Sequence, residues 1–452
     1  MRRHPHPYHL VIGLGASGLS MARFLHAAGK SVIATDIDEG NTHAAEVLGA
    51  LGIETQIGFH DQAVFDNAHC LVPSPGIPLT SKFIAAAMEK GVPVIGELDI
   101  FSDENRLPVI AVTGTNGKTT TTTLIGDLLT ACGKKPFVGG NIGTPLVELL
   151  MNDEAYDTVV AEVSSFQLDL SKRFRPDVAL LLNISEDHMD RYPTFADYEN
   201  AKWHIFKQQT PHDTAVINAA ISDAKTRSKE LAASVLWFSS FDRGDDGIHA
   251  RVNDREIRFN LGNDEFEIDT TVCPALHGTH NHENIAAAVL ACVAAGTDIN
   301  HFDKGLTAFT GLPHRVEKVR HVKGVTFYND SKATNTDAVI RALECFDQPV
   351  ILILGGREKG TDFSQLTGAV RKHVKAIMAI GESRRHIRHA FSDICPVTEA
   401  GEMKDAVIKA FEKARTGDIV LLSPACASFD MYDNYGHRGD DFKSIVSGIG
   451  TN

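Results

Sequence analysis

Apolar and polar positions along this chain repeat one rhythm three times: a short, nearly continuous apolar run, a polar or glycine-rich loop, then apolar residues at helical spacing. From residue 8 to about 105, residues 9–12, 31–35, 70–72 and 92–95 read as strands, with helices over 19–28 and 82–90. A polar stretch, 102–106, reads as a linker before Leu107-Pro108. The second unit opens on an apolar strand that enters a glycine-bounded loop within 111–120 and carries later apolar runs at 158–163, 178–184 and 214–218, then short strands with turns over 235–272 and an alanine-rich helix over 282–295. After Leu312-Pro313 the rhythm resumes, with strands predicted at 324–328, 349–354, 376–380 and 418–422. Runs this continuous suit strands covered on both faces, so the pattern predicts an α/β chain of parallel sheets. Three domains follow: 1–106, 107–311 and 312–452. In such sheets ligands sit at the carboxyl ends of the strands, and the polar loops fall there.

Length agrees, since 452 residues at roughly 100–200 per domain leave room for separate cores. No apolar run is long enough to span a bilayer, and the opening Met-Arg-Arg-His-Pro-His-Pro lacks the apolar stretch of a signal peptide. Seven scattered cysteines without a CxxC pair favour a reducing compartment and argue against zinc. The expectation is a cytoplasmic monomer with no membrane partner. A formal net charge of −14 argues against nucleic acid as a partner, so anionic ligands must be met by single cations in loops.

The strongest such loop is Ala111-Val-Thr-Gly-Thr-Asn-Gly-Lys-Thr-Thr120, where an apolar strand turns through Gly114, Thr115, Asn116 and Gly117 into a helix. Its backbone N–H groups and helix N-terminus suit phosphate, Lys118 reaches the β/γ oxygens, and Thr119 suits Mg²⁺. The strict eight-residue phosphate loop is not met, because Val112 stands where its first glycine belongs, and a plain strand-to-helix turn is the alternative. Thr119, Glu162 and His188 are hard donors suited to Mg²⁺ or Mn²⁺ beside phosphate. Taken singly, Glu162 reads equally as a helix-capping acid and His188 as an ordinary loop histidine. Lys202, on a helix around 198–206, reads from composition as a solvated surface residue. Gly13-Leu-Gly-Ala-Ser-Gly18 matches G-x-G-x-x-G with Asp36 after the next strand, a pattern that serves a dinucleotide, any diphosphate, or close helix-on-strand packing. A nicotinamide-dependent dehydrogenase and a non-enzymatic nucleotide switch are therefore the competing classes.

Ordered strings decide among them. Val112-Thr-Gly-Thr-Asn-Gly-Lys-Thr-Thr, Gly140-Asn-Ile-Gly-Thr-Pro, Glu162-Val-Ser-Ser-Phe-Gln-Leu, Glu186-Asp-His-Met-Asp-Arg-Tyr-Pro, Gly311-Leu-Pro-His-Arg-Val-Glu, Asn329-Asp-Ser-Lys-Ala-Thr-Asn and Ser423-Pro-Ala-Cys-Ala-Ser-Phe-Asp resemble the ATP-dependent Mur ligases. Ser74-Pro-Gly-Ile-Pro and the last three strings narrow the likeness to the D-glutamate-adding branch, a sibling Mur or folylpolyglutamate-type ligase being the alternative. The resemblance implies a Rossmann-like N-terminal domain for a UDP-linked substrate, a central P-loop ATPase-like parallel sheet, and a Rossmann-like C-terminal domain for the incoming amino acid. It implies ATP, two Mg²⁺ sites that Mn²⁺ also suits, and UDP-N-acetylmuramoyl-L-alanine and D-glutamate as substrates. Lys118 and Thr120 would belong to the ATP site with Asn284 and His314 on the adenine side, Asp330 on the ribose and Arg315 near the phosphates. Thr119, Glu162, His188 and a carbamylated Lys202 would serve the metals. Ala16, Ser17, Asp36, Ser74, Gly76, Asn141, Ser164 and His188 would line the UDP-substrate site, although Ile37-Asp38 departs from the family's uracil-side pair. Lys332, Thr334, Lys359, Ser428, Phe429 and Tyr435 would hold D-glutamate and the reacting centre.

Overall fold

A computed structural model describes residues 7–189, 191–241, 247–262, 264–358 and 360–449. The chain forms two compact units, one drawn from residues up to Val252, Ile257–Ile268 and Glu283–Ala308, the other from Asn253–Glu256, Asp269–His282 and Phe309 onward.

The first unit holds two sheets. β1 (His9–Ile12), β2 (Val32–Asp36), β3 (Glu54–Ile57) and β4 (Cys70–Pro73) make an all-parallel sheet of order β3-β2-β1-β4. The expected strand over 92–95 shrinks to a single bridge, Leu71 to Val94, because Pro93 has no N–H to extend the ladder. β3 escaped the sequence pattern, for an edge strand reading Glu-Thr-Gln-Ile is half exposed and largely polar.

The second sheet runs β13-β12-β11-β10-β9-β8-β5-β7-β6, where β5 is Val109–Thr113, β6 Pro136–Gly140, β7 Thr158–Glu162, β8 Val178–Leu181, β9 Thr214–Asn218, β10 Ser234–Ser239, β11 Ala250–Val252, β12 Glu256–Asn260 and β13 Glu265–Asp269. Its core strands β5, β7 and β8 pair in parallel and are fully buried, as their unbroken apolar runs require. The supposed linker is different from expectation. Residues Glu97–Glu104 form a helix whose Leu98 and Phe101 are wholly buried in the core of this sheet. Glu97 at its start accepts hydrogen bonds from Leu146 N (3.1 Å) and Gln167 Nε2 (3.3 Å).

In the second unit β14 (Glu317–Val322) pairs antiparallel with β15 (Val325–Asn329), followed across the sheet by β19 (Ile419–Leu422), β16 (Val350–Gly355), β17 (Val374–Ile380) and β18 (Val397–Glu399) in parallel. Helices cover both faces, giving two apolar layers, one around Leu352 and Leu421 and one around Ile353 and Leu422. Among the described residues no helix is long and apolar enough to cross a membrane.

Candidate active site

In the first unit the phosphate loop leaves the end of β5 and opens the helix Lys118–Ala131. Gly117, its N-cap, sits at φ +84°, and a Cβ there would lie 2.4 Å from Asn284 Oδ1, so only glycine fits. The same contact sets Asn284 directly against the loop. Asn183, after β8, clamps it from the other side, accepting from Asn116 N at 2.9 Å and donating to Asn116 O at 3.0 Å. Thr115 Oγ1 bridges to Ser185 N (3.0 Å) and to the Tyr198 hydroxyl (3.1 Å). Lys118 Nζ folds over the turn onto Gly114 O and Thr115 O, each at 2.8 Å. Thr119 and Thr120 follow it in the first helical turn.

Lys202 is not a surface residue. Only 2% of it is exposed, its Nζ donates to Gly114 O at 2.8 Å, and it lies 4.5 Å from the centre of the Tyr198 ring. Burial first, then the neighbouring Lys118 charge, push its pKa well below the usual lysine range. The surface expectation failed because the helix Phe195–Trp203 mixes polar and apolar residues without a clean stripe.

Glu162 ends β7 beside this pair. Its Oε1 accepts from Asn141 Nδ2 at 3.0 Å, while its Oε2 is buried with no hydrogen-bond partner among the described residues. Glu162 does not cap the helix that follows, because Ser164 does so in a capping box with Gln167. An unpartnered buried carboxylate oxygen beside a phosphate loop fits a divalent cation. No group of three or more His, Cys, Asp or Glu among the described residues is arranged to enclose a metal, so phosphate and water oxygens would complete its shell. His188 holds φ +56° with its ring 4.9 Å from that of Phe166.

The first sheet's glycine turn reaches this region. A Cβ on Gly18 would lie 1.7 Å from Gly13 O, and Ser74 Oγ donates to that same oxygen at 2.8 Å. Asp36 is taken up by its own loop, accepting from Leu14 N (2.6 Å), Asp38 N (2.9 Å) and Asn41 Nδ2 (2.8 Å). Ala16 and Ser17 open the helix after the turn. Gly76 O accepts from Arg191, whose guanidinium lies 4.6 Å from the Phe166 ring centre. The loops of both sheets thereby converge around Phe166 and His188.

In the second unit the loops after β15 and β19 come together. Asp330 is buried, accepting from Val316 N (3.2 Å) and Ser423 Oγ (2.7 Å), and burial raises its pKa to about 7. Lys332 Nζ lies 5.1 Å from the centre of the half-exposed Tyr435 ring. Ser428 is buried, while Phe429 and Thr334 are exposed. Lys359 lies outside the described residues. His314 and Arg315 sit on a tight arch with φ +63° at His314 and +44° at Val316.

Two residues here escaped the sequence reading. Tyr198 shields Lys202, and Arg438, 1% exposed, donates from Nε and Nη2 to Ser331 Oγ and O (2.9 and 2.7 Å) and from Nη1 to Cys426 O (3.0 Å). Arg438 thus ties the loops after β15 and β19 together. On a helix reading Tyr-Gly-His-Arg-Gly-Asp-Asp, nothing in the pattern marks it as buried.

Comparison with known proteins covers the whole of this arrangement. Residues 8–96 match the model of the Mur ligase MurD-like N-terminal domain, 112–292 the Mur ligase middle domain, and 314–426 the Mur ligase glutamate ligase domain. A protein of Desulfosudis oleivorans named UDP-N-acetylmuramoylalanine--D-glutamate ligase is 44% identical over 97% of this chain and 95% of its own length. The chain belongs to the Mur ligase family. A second relative of the same name, from Koribacter versatilis, is 42% identical over 97% of this chain and 96% of its own. Among solved structures, the UDP-N-acetylmuramate-alanine ligase of Thermotoga maritima shares this Mur ligase fold at TM-score 0.62 and 18% identity, covering 98% of this chain and 99% of that one. A pseudomurein peptide ligase of Methanothermus fervidus does so at TM-score 0.61 and 18% identity, with the same coverage.

Proposed function

We propose that this chain is an ATP-dependent amide-forming ligase that joins D-glutamate to UDP-N-acetylmuramoyl-L-alanine in peptidoglycan precursor synthesis. What carries the reading is a buried Lys202 beside Lys118 on one phosphate loop, in a chain collinear over 97% of its length with ligases of that name.

A carboxylate and an ammonium do not condense readily in water, so the alanine carboxylate must first be activated. One of its oxygens attacks the γ-phosphorus of ATP, the bond to the bridging oxygen breaks, and ADP departs, leaving an acyl phosphate. The deprotonated amine of D-glutamate then attacks the acyl carbon and expels phosphate. Lys118, with the N–H groups of 114–120, offsets charge at the transferring group, and Asn183 and Asn284 hold that loop in shape. Thr119, Glu162, His188 and Lys202 would hold Mg²⁺, which supplies Lewis-acid neutralisation of the phosphoryl oxygens. The neutral amine, the form of Lys202 that burial favours, is the one that adds CO₂, and the resulting carbamate would serve as an anionic metal ligand.

In this reading residues 1–106 bind the UDP end through Ala16, Ser17, Ser74 and Gly76, with Asp36 shaping the turn, and Asn141 and Ser164 facing the muramoyl-alanine. Residues 107–311 bind ATP, with Asn284 near the loop. Residues 312–452 supply His314, Arg315 and Asp330 to the nucleotide, and Lys332, Thr334, Lys359, Ser428, Phe429 and Tyr435 to D-glutamate, whose two carboxylates suit lysines and hydroxyls. The protein works as a cytoplasmic monomer. Incubation with ATP, UDP-N-acetylmuramoyl-L-alanine and a panel of amino acids of both hands, with products weighed by mass spectrometry, tests the proposal. A product carrying D-glutamate, with phosphate released only when both substrates are present, is expected; robust release with either omitted would overturn it.

A further inference from the structure

The arch at His314 carries two strained positions one residue apart, His314 at φ +63° and the β-branched Val316 at φ +44°, and Glu317, which accepts from the His314 N–H, also holds the amide beside the imidazole. Glu317 Oε2 accepts from His314 N at 2.9 Å and from Asn329 Nδ2 at 3.1 Å. Asn329 Nδ2 lies 2.9 Å from His314 Nδ1, and Asn329 Oδ1 accepts from Ser331 N at 3.1 Å. The Asn329 amide can stand only one way round. Rotated, its oxygen would face the Glu317 carboxylate and its NH₂ would face the Ser331 N–H, which replaces two attractions by two repulsions. With NH₂ fixed toward the ring, His314 Nδ1 must accept.

We infer that Asn329 is a positioning residue that locks the His314 imidazole in its neutral Nε2–H tautomer, so that this arch offers one N–H donor to an acceptor nitrogen of the adenine. The adenine part rests on the function proposed above, while the tautomer stands on this geometry alone. Gly439 makes room for the ring: a Cβ there would lie 2.2 Å from His314 Nδ1. Burial also lowers the pKa of His314, which keeps it uncharged near neutrality against the opposing pull of Asp440 and Glu317 and with the help of Lys443 and Lys332. The side chain is 12% exposed, and its Nε2 is 3.8 Å from Asp440 Oδ1, outside hydrogen-bond range, so that donor is available to a ligand.

Long-range ¹⁵N–¹H NMR of the full chain, with His314 assigned through a His314→Gln variant, reads the tautomer directly. Between about pH 7 and 8.5 a protonated Nε2 and an unprotonated Nδ1 are expected; an Nδ1–H signal or an imidazolium at neutral pH would overturn the inference. Asn329→Asp replaces the donor by an acceptor and should move the proton to Nδ1, raising KM for ATP about tenfold with kcat changed less than about threefold. An inverted tautomer with unchanged KM would sink the adenine contact. The wild-type spectrum decides the tautomer whether or not that variant folds, and a protein with no ligase activity but the expected spectrum would remove the function and leave the imidazole assignment intact.

Discussion

Lys118 and Lys202 share one acceptor: both ammonium nitrogens lie 2.8 Å from the carbonyl oxygen of Gly114. Like charges beside a single oxygen, one of them buried, disfavour a second proton, and burial together with the Lys118 charge lowers the pKa of Lys202 well below the usual lysine range.

Under the proposed function, replacing Lys202 by alanine should leave the fold intact and lower kcat by about 10² or more, because the carbamate it would carry beside the metal is lost. Short carboxylic acids such as acetate or formate should restore part of the rate by filling the vacated space. Initial rates measured with and without added acid check this, and no recovery would remove the anionic role of Lys202.

Lys118→Ala should reduce turnover to about 10⁻³ of the parent or below, because no other side chain on the loop carries charge to the phosphates. Its ammonium donates to two backbone carbonyls of its own loop. Circular dichroism should be unchanged, and a normal kcat would take Lys118 out of the mechanism.

Glu97 gives a pH signature of stability. Burial raises its carboxyl from about 4.5 to about 7 in the folded protein. Between those values the folded chain binds a proton the unfolded chain has released, so stability falls as pH rises through that window. Glu97→Gln should abolish this loss and stabilise the protein by roughly 1–3 kcal/mol near pH 8, with little change near pH 4.5. Calorimetric Tm values at the two pH values test it; equal shifts at both would show that the carboxyl is ionised in the fold.

Arg438→Met should cost about 2–4 kcal/mol, because Ser331 O and Cys426 O would lose their donors inside the fold. The loops bearing Lys332 and Ser428 would loosen with it, raising KM for D-glutamate about tenfold or more while KM for the UDP substrate stays near the parent value. Urea midpoints and the two KM values are the measurements, and a selective change in the UDP substrate instead would contradict the assignment.

Strands buried on both faces, such as β5 and β16, were legible because nothing but unbroken apolar sequence can occupy them. The turn from β5 into the helix at Lys118 was legible because the backbone there requires glycine at 117. What stayed hidden is long-range packing. Lys202 looks solvated until Tyr198 and the Gly114 turn close over it, and Arg438 looks like any helical cation until two loops bring carbonyls to it. Spacing read Asp36 and Asp330 as ligand-facing acids, and it did not show that each also accepts hydrogen bonds from its neighbouring loops.

The helix Glu97–Glu104 has an evolutionary corollary. With Leu98 and Phe101 sunk into the core of the following sheet, residues 97–104 pack with that sheet instead of forming a free polar linker before Leu107. Any exchange of N-terminal segments between relatives has to cross over upstream of Gly96; a junction placed after it strips two large apolar anchors from the recipient and opens a sticky wound where they sat.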